Sequence, residues 1–143
     1  MANILICDDE PHITRAVEIK LKRSGHTVDP HLDGRAAWDA ILDRIGADQP
    51  LPDLIITDCQ MPRMTGLQLA AAIQSDPRLA GLPIVMLTAK GFELSAEELR
   101  EKLGIHRVVG KPFSPRDLVE LVESILDEPV VAPADAAASA VTG

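Results

Sequence analysis

The chain has 143 residues, 46% of them hydrophobic and 25% charged, which suits one globular domain with a sizeable core and not comfortably two. A formal net charge of −8, with no basic run, argues against nucleic-acid binding through phosphate attraction. No apolar run approaches the roughly 20 residues that span a bilayer and no signal-peptide pattern opens the chain, so the expectation is a cytoplasmic protein that makes no membrane contact.

The first element is the short apolar run Asn3-Ile-Leu-Ile-Cys7, which ends on Asp8-Asp9-Glu10. Pro11 suits the first turn of a helix, in which Ile13, Val17 and Leu21 recur on one face and Ser24-Gly25 closes the pattern. His26-Thr-Val-Asp-Pro30 reads as a more polar strand at a sheet edge, because Pro30 cannot join a central ladder. Asp33-Gly34 leads into a second helix with a stripe of Trp38, Ile41, Leu42 and Ile45, so Trp38 reads as packing rather than function.

After a polar, proline-bearing loop, Leu54-Ile55-Ile56 is too short for a helix and is bounded by breakers. It reads as a buried parallel strand that ends on Asp58, with Met61-Pro62 turning the chain away. Thr65 can cap a third helix carrying Leu67, Ala70, Ala71 and Ile73. Pro83-Ile-Val-Met-Leu-Thr88 is a fourth strand ending on a hydroxyl, and Ser95-Ala-Glu-Glu98 is a capping-box pattern opening a short helix through Leu103. His106-Arg-Val-Val-Gly110 is a fifth strand, followed by Lys111-Pro112. Ser114 and Pro115 then start a last helix with a stripe of Leu118, Leu121, Val122, Ile125 and Leu126.

Strands and helices therefore alternate five times, and right-handed crossovers make an α/β doubly wound parallel sheet the leading architecture. The domain is expected over residues 1–127, with residues 128–143 an Ala/Pro-rich tail or linker. The two cysteines, Cys7 and Cys59, are too few for a disulfide framework and lack metal-binding spacing, so both read as structural.

Four strand ends now carry polar groups: Asp8-Asp9, Asp58, Thr88 and Lys111. In a parallel sheet these ends share one edge, where open α/β sheets bind ligands. Three carboxylates drawn within about 4–6 Å repel one another, and a divalent cation with a taste for oxygen, such as Mg²⁺, removes the conflict. Each residue alone has a bland reading as a turn, cap or solvated charge. Their joint placement favours a metal-assisted phosphoryl transfer in which Asp58 is the nucleophile, Lys111 a point charge and Thr88 a hydrogen-bond donor.

At these residues the sequence closely resembles the receiver domain of two-component response regulators, the CheY-like family. Asp8-Asp9, Asp58 within Asp58-Cys-Gln-Met-Pro-Arg-Met-Thr-Gly66, Thr88-Ala89 and Lys111-Pro112-Phe113 carry the resemblance, which spans about Asn3 to Asp127. It implies a five-stranded flavodoxin-like fold of strand order 2-1-3-4-5, and phosphorylation of Asp58 by a sensor histidine kinase or a histidine phosphotransfer protein. It implies Mg²⁺ bound by Asp9, Asp58 and the backbone carbonyl of Gln60, with Asp8 reaching it directly or through water. Lys111 would pair with the phosphoryl group, Thr88 would swing toward it, and Lys111-Pro112 is often cis in such domains.

The family usually carries Tyr or Phe three residues before the lysine, where this chain has Val108. An aromatic rotamer switch cannot operate there. Output would then need the helix of Ser95–Leu103, the loop from Lys90 to Leu94 or the packing of the fifth strand, and the face built by that helix, the fifth strand and the last helix would meet a downstream protein partner or a phosphorylation-dependent homodimer. Gln60 and Lys90 occupy positions that tune hydrolysis in the family, and their long side chains, able to obstruct the attacking water, lead us to expect dephosphorylation that is not unusually fast. A phospho-Asp58 half-life of a few seconds would contradict that.

The expected function is thus a phosphorylation-controlled signalling module, not an enzyme beyond its own phosphorylation and dephosphorylation. The alternatives are a receiver domain cut from a longer regulator and, more remotely, an aspartyl-phosphate phosphatase, which usually carries a DxD motif where this chain has Asp8-Asp9-Glu10. A flavin-binding protein would need a hydroxyl-rich phosphate loop where this chain is acidic. The stand-alone form is the preferred expectation, because no motif follows residue 128.

Overall fold

A computed structural model gives the structure, and it describes residues 2–61, 63–79, 81–88 and 104–127. Five strands, β1 (Asn3–Cys7), β2 (Thr27–His31), β3 (Leu54–Asp58), β4 (Ile84–Thr88) and β5 (Arg107–Gly110), form one sheet. All neighbours are parallel and the order is β2-β1-β3-β4-β5. Helices α1 (Pro11–Arg23), α2 (Gly34–Gly46) and α3 (Gly66–Gln74) follow the first three strands. The C-terminal helix (Pro115–Leu126) follows the fifth. The expected helix over Ser95–Leu103, Ala89, Lys90 and the tail lie outside the described residues.

Side-chain alternation along the central strands divides the core in two. Leu5, Cys7, Ile55, Ile84 and Met86 face one side, where Ala37 and Ile41 of α2 and Leu69, Ala70 and Ile73 of α3 cover them. Ile4, Ile6, Leu54, Ile56, Val85 and Leu87 face the other, against Val17 and Leu21 of α1 and Leu118, Val119, Val122 and Ile125 of the C-terminal helix. Strands buried on both faces read as unbroken apolar runs, which is why these three were plain in the sequence. Each fully buried Leu or Ile stabilises the fold by roughly 1.5–3 kcal/mol.

Pro30 does sit in the edge strand, paired in register with Ile6. That strand starts one residue later than the sequence suggests, because His26 does other work. Its Nδ1 accepts from the Ala2 N–H at 3.2 Å, and its Nε2 lies 3.1 Å from Glu123 on the C-terminal helix. The buried faces of two helices also differ from expectation. In α2, Ala37 and Ile41 are buried, with Trp38 and Ile45 packed partly against them. In α3, Leu69 is fully buried while Leu67 and Ala71 are half-buried. The segment GLQLAAAIQ is apolar on almost every side, so periodicity could not select its inner face.

Candidate functional site

The four polar strand ends meet at the carboxyl edge of the sheet. Asp8 leaves β1 with its N–H donating to the His31 carbonyl at 3.1 Å. Its Oδ1 accepts from the Glu10 N–H at 2.9 Å, a local turn that aims the chain into α1. The Thr14 hydroxyl donates back to the Asp8 carbonyl at 3.3 Å. Asp8 is therefore fully buried and held from both sides.

Asp58 ends β3 with its Oδ1 accepting from the Cys59 N–H at 3.0 Å. The loop after it is pinned by the Gly66 N–H on the Cys59 carbonyl at 2.9 Å. A full capping box closes it: the Gln68 N–H donates to the Thr65 hydroxyl while the Gln68 side chain accepts from the Thr65 N–H.

Lys111 directly follows β5 and is joined to Pro112 by a cis peptide bond, and its N–H donates to the Thr88 carbonyl at 2.7 Å. From there its ammonium reaches Glu10 at 2.8 Å, Asp8 at 3.0 Å and Asp58 at 3.4 Å. Carboxylate oxygens of Asp8, Asp9 and Asp58 all fall within 4.8 Å of one another, with Asp8 and Asp58 buried and Asp9 exposed. Three hard anionic oxygens around one point are a donor set for Mg²⁺ or a similar cation.

The structure thus brings Asp8, Asp9, Asp58 and Lys111 together. Thr88 is buried beside them at the end of β4, and the described contact it makes there is its carbonyl to the Lys111 N–H. Gln60 is exposed on the loop two residues beyond Asp58. Both cysteines are buried thiols, pushed up by burial to about 12 at Cys7 and about 11 at Cys59, and so inert at neutral pH.

Burial, and then the charge of Asp8, push the Asp58 carboxyl up to about 6, against the opposing pull of Lys111. Burial works against the Lys111 ammonium too, but its contacts to the Glu10 and Asp8 carboxylates and the attraction of Asp58 outweigh it and hold its pKa above the usual lysine value. Glu10, hydrogen-bonded to Lys111, is held below the ordinary carboxylate range.

A carboxyl whose folded pKa is raised binds its proton more tightly when folded. Stability of the metal-free protein therefore falls as pH rises from about 4 toward 6, and the deficit persists at neutral pH. Asp58→Asn is expected to stabilise the protein at pH 7 in a chelator by about 1–2 kcal/mol, and to remove that part of the pH dependence. Urea unfolding at pH 5 and pH 7 checks it; a variant less stable than wild type at pH 7 would refute the account.

Two participants escaped the sequence reading. Glu10 is Lys111's nearest partner, and the run Asp8-Asp9-Glu10 was its only signal. Arg63 reaches Asp33 through Nε and Nη2 at 2.9–3.3 Å. Asp33 also caps α2, accepting from the Ala36 N–H at 2.8 Å, so the loop after Asp58 is tied to the start of α2. Arg63 stands at φ +67°, which no residue type in that loop announced.

Residues 4–123 match the family model for the response regulator receiver domain. The chain is 35% identical over 123 residues to the phosphate regulon transcriptional regulatory protein PhoB of Pseudomonas aeruginosa, covering 86% of this chain and 51% of that protein. It thus spans about half the length of curated relatives it matches. Chemotaxis protein CheY4 of Vibrio cholerae superposes with a TM-score of 0.71 at 28% identity, covering 87% of this chain and 98% of that one. The receiver domain of NtrX from Brucella abortus gives a TM-score of 0.71 at 28% identity, covering 88% and 99%.

Proposed function

Because the chain belongs to the response regulator receiver domain family, we propose that it is a phosphorylation-controlled signalling module with Asp58 as phosphoacceptor. The observation that carries this reading is the meeting of Asp58 with Asp8, Asp9 and Lys111 at one sheet edge. A histidine kinase or histidine phosphotransfer protein supplies the phosphoryl group, and residues 1–127 make up the module. Within it the protein catalyses only its own phosphorylation and dephosphorylation. Among the described residues no helix is long and apolar enough to cross a membrane.

Among the described residues the contacts of Asp58 fall on Oδ1, from the Cys59 N–H and the Lys111 ammonium. That leaves Oδ2 for in-line attack on phosphorus. The new bond joins Oδ2 to phosphorus, and the phosphorus–nitrogen bond of the donor phosphohistidine breaks, with its electron pair leaving on the imidazole. Lys111 balances charge on the phosphoryl oxygens, and the Thr88 hydroxyl donates a hydrogen bond to one of them. Asp8, Asp9, Asp58 and the Gln60 carbonyl would hold Mg²⁺, which when bound neutralises the carboxylates and the phosphoryl oxygens.

Readout passes through the β5 side of the sheet. Val108 is partly buried there and packs on the cluster shared with α2 and α3, so the change is one of aliphatic packing rather than of an aromatic ring. Such a face serves a downstream protein, a second copy or a linked output domain equally.

Incubation with acetyl phosphate and Mg²⁺ is expected to add the mass of one phosphoryl group to the intact protein, and a chelator is expected to prevent it. Equal phosphorylation in the chelator would remove the metal from the account. No mass gain under any condition with either a small-molecule donor or a phosphorylated histidine protein would overturn the reading.

A further inference from the structure

Lys111 has three ammonium hydrogens and three carboxylates around it. Glu10 is the nearest at 2.8 Å, then Asp8 at 3.0 Å and Asp58 at 3.4 Å. Among the described residues the ammonium's hydrogen bond goes to Glu10, while Asp8 and Asp58 stand as ion-pair partners, so a phosphoryl group on Asp58 competes with Glu10 for the ammonium. The three acids are not equal in that respect. Asp8 is fully buried and Asp58 nearly so, and both belong to the cluster whose oxygens converge on a cation position. Glu10 stands outside that cluster, with its side chain 45% exposed. Water can take over its carboxylate at little cost, whereas a buried acid would be stranded.

The placement of Glu10 adds a second indication. Its backbone is fixed as the cap residue of α1, the carbonyl accepting from the Ile13 and Thr14 N–H groups. Its side chain makes no cap hydrogen bond, although capping is what polar side chains at this position ordinarily do. The carboxylate instead crosses to a residue 101 positions later in the chain, joining the start of α1 to the loop after β5.

We propose that Glu10 is a latch on Lys111, occupying the ammonium until a phosphoryl group on Asp58 displaces it. The inference rests on Asp58 being the phosphoacceptor. As a positioning residue Glu10 sets how readily the phosphorylated state forms, and it makes release of α1's first turn from the β5 loop part of the response.

The test compares wild type with Glu10→Gln and Glu10→Asp at saturating Mg²⁺. It reads the initial rate of phosphoryl gain from acetyl phosphate, the midpoint for beryllofluoride (a non-covalent stand-in for the phosphoryl group) and the urea midpoint. Glu10→Gln is expected to speed phosphorylation and tighten beryllofluoride binding by roughly five-fold, the size of a partly exposed charge pair. Glu10→Asp keeps the charge but loses a methylene of reach, and is expected to follow Glu10→Gln. A merely structural ion pair would lower the urea midpoint of Glu10→Gln and leave the other two readouts unchanged, which overturns the latch. Glu10→Asp behaving as wild type while Glu10→Gln gains would show simple charge repulsion, and also overturns it. Failure of wild type itself to take up a phosphoryl group sinks the Asp58 reading and the latch with it.

Discussion

Lys111→Met is expected to destabilise the metal-free protein by about 3 kcal/mol, because it strips the countercharge from two buried acids. Lys111 lies 3.0 Å from Asp8 and 3.4 Å from Asp58, and its own side chain is only 15% exposed. Methionine keeps an unbranched apolar stem out to Cε and lacks only the ammonium, so the loss is mainly electrostatic. With the ammonium gone, the carboxylates of Asp8, Asp9 and Asp58 face one another unopposed. Added Mg²⁺ should recover most of the deficit, since a divalent cation at the same carboxylates replaces the missing charge. Urea unfolding in chelator and in millimolar Mg²⁺ measures both parts. A variant as stable as wild type in chelator would mean that the lysine is a spectator on the rim.

Gly66→Ala is expected to be nearly as severe, at about 2–3 kcal/mol, for a steric reason centred on the same aspartate. A Cβ on Gly66 would lie 1.9 Å from the Asp58 carbonyl oxygen and 2.9 Å from its carbon. Both atoms are backbone, so no rotamer change relieves the clash. The chain must shift where Gly66 N–H meets the Cys59 carbonyl at 2.9 Å, and that shift moves the oxygens of Asp58. Weaker Mg²⁺ binding should therefore accompany the lost stability. Gly46 supplies the control: a Cβ there meets nothing within 4 Å, and Gly46→Ala should leave stability unchanged or raise it by about 0.5 kcal/mol. Equal behaviour of the two alanine variants would show that the close approach beneath Asp58 is unimportant.

How much of this was legible in the sequence follows from what each feature depends on. The strands of Asp8, Asp58 and Thr88 are buried on both faces, so each is an unbroken apolar run stopped by a polar residue. That single property gives fold and site together. Pro30 marked the edge strand because a missing N–H is tolerated only there. Leu69 was missed because α3 is apolar nearly all round, and only the sheet above it decides which side is inside. Contacts between distant residues were out of reach altogether. Glu10 and Lys111 are 101 positions apart, and Arg63 and Asp33 are 30 apart. His26 reaches Glu123 across 97. Charge alone cannot nominate such partners, since an exposed acid at the start of a helix is common without one.

The pocket is also more than its carboxylates. Asp8 turns the chain into α1, Cys59 offers its N–H to Asp58, and Gly66 lets the next helix begin directly beneath it. These backbone devices fix where the charges stand. The proposed response falls on the rim, at the Glu10–Lys111 contact and in the packing around Val108.

The central claim is that one carboxylate, Asp58, receives the phosphoryl group. Intact-mass measurement of wild type and Asp58→Asn, each treated with acetyl phosphate and Mg²⁺, tests it most directly, with urea unfolding confirming that the variant is folded. Wild type is expected to gain one phosphoryl mass and the folded variant none. A folded Asp58→Asn protein that still gains the mass would contradict it and move the acceptor to another residue.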